Sequence, residues 1–243
     1  MGGAGELSRV PLTQLRQRPH EPYDRSHRPS RDDFMPEQPD HLDRGTFLNL
    51  AAVVEAGLLL LAWLFGWLAG IDILSDVHIN FSGLAWGVAA TIPLFALFLL
   101  AMQLPWKPLR RVRQLLLELL GPSLALCKWY DLVLLAALAG VCEELMFRGF
   151  LQTWLIRVTA DVPGLGDGWI AGVALTSILF GLAHWVTPTY GWTVMVMGVY
   201  LGLLPHCTDR SNLVIPIVTH GLYDYLAFLI VVRLVRRQPT GSG

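Results

Sequence analysis

The chain has 243 residues, of which 53% are hydrophobic and 15% charged, and its mean hydropathy is +0.49. Soluble domains carry roughly 25% charged residues, so the deficit argues against a soluble protein and for contact with lipid. The net charge of −1 hides an asymmetry: Lys and Arg crowd the first 45 residues, one central segment and the C-terminal end, which argues against a nucleic-acid surface and for topology signals. Three scattered cysteines without a CxxC pair exclude a disulfide framework or a structural zinc module.

Residues 1–45 are polar and rich in Pro, Arg and Asp. Such a stretch buries too little apolar surface to offset its ordering entropy, so a disordered cytoplasmic tail is expected there. A transmembrane domain is expected over residues 46–236. Its first long apolar run begins near Phe47, too late for a cleavable signal peptide.

Apolar stretches at residues 47–70 and 82–104 approach the ~20 residues needed to cross the hydrocarbon core. Residues 107–120, KPLRRVRQLLLELL, place a basic cluster before a Leu-rich half, as an interfacial amphipathic helix on an anionic leaflet would. Further spans are expected at about 131–156, 169–185, 190–204 and 213–234. The fifth is short, and its Gly198-x3-Gly202 spacing permits close helix approach. No internal repeat is evident. The fold class expected is all-α: a polytopic membrane bundle of about six transmembrane helices plus one interfacial helix.

Six spans place both termini on one side of the membrane. Fifteen of the eighteen Lys and Arg residues fall on that side, in the tail, residues 107–128 and the C-terminal end, against Arg157 and Arg210 opposite. This positive-inside bias predicts cytoplasmic termini, with a bacterial cytoplasmic membrane as the expected location.

Charges inside spans carry the functional signal, because each costs at least ~2.5–3.5 kcal/mol at the bilayer centre. The third span contains Glu143, Glu144 and Arg148. Adjacent helical residues point ~100° apart, so the two carboxylates cannot share a face. Glu144 and Arg148, four apart, are placed for an ion pair along the helix. Glu143 is left without a local cation and is the candidate general base. The fourth span carries Phe180 and His184, and the sixth carries His220 and Asp224, again four apart, so that the carboxylate can orient or charge the imidazole. Three helices thus bring ionisable groups to interior depths, tolerable together if they share one hydrated pocket.

In this order on successive apolar segments, EExxxR, FxxxH and HxxxN/D resemble the signature of the CAAX prenyl endopeptidase and bacteriocin-processing family of intramembrane glutamic-type peptidases, members of which are also described as bacterial self-immunity proteins. The resemblance covers about residues 131–228. It implies a helical fold with a cavity open toward the cytosol, Glu143 and His184 activating water, and His220 with residue 224 stabilising the oxyanion. Glu144, Arg148 and Phe180 are then supporting residues. The implied substrate is a peptide or protein, membrane-associated or lipidated, with no nucleic acid, no cofactor and no metal. The family more often has Asn where this chain has Asp224. An ionised carboxylate can only accept hydrogen bonds, so Asp224 must be protonated or act indirectly by holding His220 as a cation.

Bland and rival readings stand beside this one. Glu144–Arg148 also fits a purely structural pair, and Phe180 fits simple packing. Cys142 beside Glu143 suggests a thiol nucleophile, but a buried thiol without a nearby cation stays protonated. Glu55 in the first span, His206 and Cys207 receive no role. A metal-dependent hydrolase is open, since Glu143, His184, His220 and Asp224 are all legitimate zinc ligands, although no HExxH helix is present. A non-catalytic membrane partner or immunity protein is open too, and a proton-coupled transporter is disfavoured by the missing repeat.

Overall fold

The computed structural model describes residues 42–208 and 210–237. The expected disordered tail therefore lies outside the described residues, apart from its last four, of which Arg44 and Gly45 already belong to a helix. The described chain is an all-α membrane bundle.

Helix α1 (Arg44–Ala69) starts at Asp43, whose side chain accepts hydrogen bonds from the Gly45 and Thr46 amides, and it stops at Gly70 in the left-handed conformation. Helix α2 (Phe81–Gln103) is capped by Asn80 and contains Pro93. Helix α3 (Lys107–Leu115) continues through a π-helical segment (Leu116–Leu120) into α4 (Gly121–Leu126), so the expected interfacial helix is present but continues beyond the expected end. Helix α5 (Trp129–Glu144) passes without a break into a second π-helical segment (Leu145–Gln152) and then α6 (Thr153–Ala160). Helices α7 (Trp169–Ala183), α8 (Pro188–Leu203) and α9 (Val214–Arg237) complete the bundle.

Among the described residues three helices, α1, α2 and α9, are long and apolar enough to cross a membrane. Helices α7 and α8, at 15 and 16 residues, fall short of the ~20-residue requirement. The pattern of burial is inverted relative to a soluble protein. Trp67 and Phe81 are 72% and 87% exposed, whereas Glu144, Arg148 and His220 are almost wholly buried. Only a solvent that lacks hydrogen-bonding capacity favours that arrangement.

Two close approaches position the site. Helices α1 and α5 run parallel, tied near their starts by the Arg44 guanidinium, which donates to both Asp131 oxygens at 2.7 and 2.6 Å. Deeper in, the Phe65 and Phe150 rings meet at 5.8 Å. Helices α5 and α9 cross where two glycines face each other: a Cβ on Gly140 would lie 2.8 Å from the Gly221 nitrogen. That contact brings His220, the neighbour of Gly221, onto the end of α5 that carries Glu143 and Glu144.

Candidate active site

The third span holds its charges where α5 changes pitch. The π-helical segment begins directly after Glu144, and the helix leaves the Arg148 carbonyl to accept from the Thr153 hydroxyl at 3.3 Å. Such one-turn insertions often mark functional sites. Within this segment Arg148 points back along the helix, and its Nη1 donates to Glu144 Oε1 at 2.8 Å. Its Nη2 donates to the Gly198 carbonyl of α8 at 3.0 Å, while one turn on Gln152 donates to Gly202 at 3.0 Å. The Gly198/Gly202 face thus admits polar side chains from a neighbouring helix to its backbone oxygens, a use of small residues that spacing alone did not specify.

The spacing predicts the Glu144–Arg148 ion pair, and the structure adds a partner to it. The same Oε1 atom accepts from His220 Nδ1 of α9 at 2.8 Å. The pair is therefore a relay, Arg148–Glu144–His220, sealed from solvent. The other ring nitrogen, Nε2, lies 3.5 Å from Asp224 Oδ2. Asp224 does flank His220 as the i,i+4 spacing predicts, but the close carboxylate is Glu144, seventy-six residues away in sequence.

Glu143 turns to the other side of α5, and its Oε2 is 3.7 Å from His184 Nε2. His184 is the residue that ends α7 rather than a residue within it. Its Nδ1 lies 2.9 Å from the Phe180 carbonyl, so Nδ1 carries the proton and donates. In the neutral ring Nε2 is then a lone pair aimed at Glu143. At 3.7 Å the two groups do not bond directly, so both keep free valence toward the interior.

Phe180 ties these parts together. Its ring stands against Phe147, His184 and His220, with centroids at 4.8, 4.7 and 6.1 Å. The Arg148 guanidinium lies over its face at 4.5 Å. A single aromatic side chain thus sets the spacing between the two histidines and supports the buried cation.

Glu143, Phe180, His184, His220 and Asp224 all line one cavity of about 760 Å³ that reaches the apolar face of α3. Glu144 and Arg148 lie behind this wall. Cys142 does not line it, which separates the thiol from the histidines. One lining carboxylate is a residue to which the sequence assigned no role: Glu55 of α1. Among the described residues no group of three or more His, Cys, Asp or Glu side chains is arranged to hold a metal ion.

No curated protein and no solved structure shows significant similarity to the chain. Residues 125–226, which contain Glu143, Glu144, Arg148, Phe180, His184, His220 and Asp224, match the family model described as Type II CAAX prenyl endopeptidase Rce1-like. The match supports a CAAX-type intramembrane protease acting on a peptide or protein. The described family is the group that the three ordered motifs of this segment resemble.

Proposed function

We propose that the protein is an intramembrane endopeptidase of the glutamic type, in which Glu143 and His184 activate a water molecule for attack on a peptide bond. The observation that carries this reading is the facing pair itself. Glu143 Oε2 and His184 Nε2 stand 3.7 Å apart on the cavity wall, with His184 Nδ1 already committed to the Phe180 carbonyl. A water touching both atoms gives one proton to each acceptor and keeps a lone pair for the scissile carbonyl carbon. Glu143 takes the proton as the C–O bond forms and returns it to the leaving amine nitrogen as the C–N bond breaks, so the enzyme ends unchanged.

His220 serves the oxyanion. As an imidazolium, His220 donates Nδ1–H to Glu144 and has a second N–H, on Nε2, available to the negative oxygen that develops on the attacked carbonyl. Asp224 stands beside that donor and completes the charge balance around the ring. The site residues are thus Glu143, His184, His220 and Asp224, supported by Glu144, Arg148 and Phe180. The expected topology has residues 46–236 as the transmembrane domain and both termini cytoplasmic. Arg44, the basic half of α3 and Arg236–Arg237 support it by clustering the charge at one side.

The test is to reconstitute the purified protein in liposomes with a prenylated peptide ending in a CAAX sequence and to identify products by mass spectrometry. Cleavage at one amide bond is expected, and its rate is expected to survive exhaustive chelation, because neither water activation nor oxyanion binding is assigned to a metal. Stoichiometric zinc whose removal abolishes the rate, and whose return restores it, would establish a metallohydrolase instead. No cleavage at all would contradict the peptidase reading.

A further inference from the structure

Glu55 is a carboxylate in the middle of α1 that the mechanism does not use. The first helix is among the most apolar elements in the chain, so a carboxylate there has a real energetic penalty unless something engages it. Its Oε2 atom is buried and has no hydrogen-bond partner among the described residues.

The register of α1 against α5 places this group at catalytic depth. The two helices are pinned at Arg44–Asp131 and again at Phe65–Phe150, so they advance in parallel. Glu55 lies eleven residues beyond Arg44, and Glu143 twelve beyond Asp131. At ~1.5 Å per residue these are depths of about 16 and 18 Å, the same level within one residue. Both side chains line the same cavity, and Glu55 lies within electrostatic range of Glu143, His220, Asp224 and His184. The wall between it and the α3 end is aliphatic and aromatic, formed by residues such as Phe47, Ala51 and Leu135.

We propose that Glu55 is a substrate-binding residue, whose free oxygen accepts a main-chain N–H of the bound peptide next to the bond cleaved by the Glu143–His184 pair. An extended peptide entering an apolar cavity loses the water on its amides, and each unsatisfied N–H then carries a desolvation penalty. A carboxylate level with the reacting carbonyl relieves that penalty for one amide and fixes the register of the chain. The same contact satisfies the orphaned oxygen of Glu55. This proposal rests on the peptidase reading and names a contact that reading does not contain.

The experiment uses the full chain in liposomes and the prenylated CAAX-sequence peptide, N-methylated in turn at each amide within three residues of the cleaved bond. In the wild type, methylation at one position should raise KM by about tenfold or more, as expected for loss of a hydrogen bond to a charged acceptor. Glu55→Leu should raise KM for the unmethylated peptide by a similar factor, with kcat largely retained, and should be indifferent to methylation at that position. Glu55→Gln keeps an acceptor oxygen and should recover much of the loss. Because Leu removes an unpartnered carboxylate, Glu55→Leu should unfold at the same temperature as the wild type or higher. A methylation penalty at that position of equal size in Glu55→Leu and the wild type would overturn the proposal alone, as would a Glu55→Leu protein that binds and cleaves normally or one that merely unfolds early. Failure of the wild type to cleave the unmethylated peptide would instead overturn the peptidase reading and this proposal with it.

Discussion

Glu143→Gln lowers kcat by about 10³–10⁴-fold while KM and thermal stability stay close to wild type, the loss expected when a general base is removed without disturbing its surroundings. The amide is isosteric with the carboxylate and still accepts a hydrogen bond from water, but it cannot take a proton at neutral pH. Stability is spared because Glu143 Oε2 has no hydrogen-bond partner among the described residues. His184→Ala falls in the same range for the complementary reason: it keeps the base and removes the group that holds the water's second proton. The ring's own attachment is a single bond to the Phe180 carbonyl, so its loss leaves α7 intact. Rates in liposomes, set beside unfolding temperatures in detergent, separate chemistry from folding. A Glu143→Gln protein with wild-type kcat would remove Glu143 from the mechanism.

Glu144→Gln has the largest expected effect on stability. One Glu144 oxygen accepts from both Arg148 and His220 in a wholly buried setting. A neutral amide leaves the Arg148 charge uncompensated, a loss of about 3–5 kcal/mol by analogy with other broken buried pairs. It also weakens the anchor of His220, so activity falls as well. The two effects separate in the double variant Glu144→Leu with Arg148→Met. Removing both charges should recover most of the stability and expression, yet His220 Nδ1 then has no acceptor and kcat remains about 10²–10³-fold low, the scale of losing one oxyanion donor. Thermal unfolding and cleavage rates on the three proteins provide the check. A single variant as stable as wild type would contradict the buried relay, and a double variant with full activity would confine Glu144 to a structural pair.

What the sequence made legible follows the range of each interaction. The apolar stretches of 47–70, 82–104 and 213–234 coincide with α1, α2 and α9 to within a few residues, because length and hydropathy decide them locally. The Glu144–Arg148 bond was readable for the same reason, being an i,i+4 pair on one helix. The bond between Glu144 and His220 was not. It depends on two glycines, Gly140 and Gly221, that let α5 and α9 approach, and spacing along one helix carries no information about which partner helix faces it. Glu55 received no role because nothing within a turn of it is ionisable; only the packing of α1 beside α5 discloses that it faces the cavity. The π-helical segment after Glu144 was invisible as well: it packs against α1 and α7, partners distant in sequence that LMFRGFLQ does not name.

The most direct measurement is a high-resolution structure of the reconstituted protein with a non-cleavable peptide bound, in which the scissile amide is replaced by an isostere. A water should be seen within about 2.6–3.2 Å of both Glu143 Oε2 and His184 Nε2, facing the carbonyl position, with His220 Nε2 directed at its oxygen. A metal ion coordinated by those same side chains, or a carbonyl seated away from both Glu143 and His184, would contradict the account.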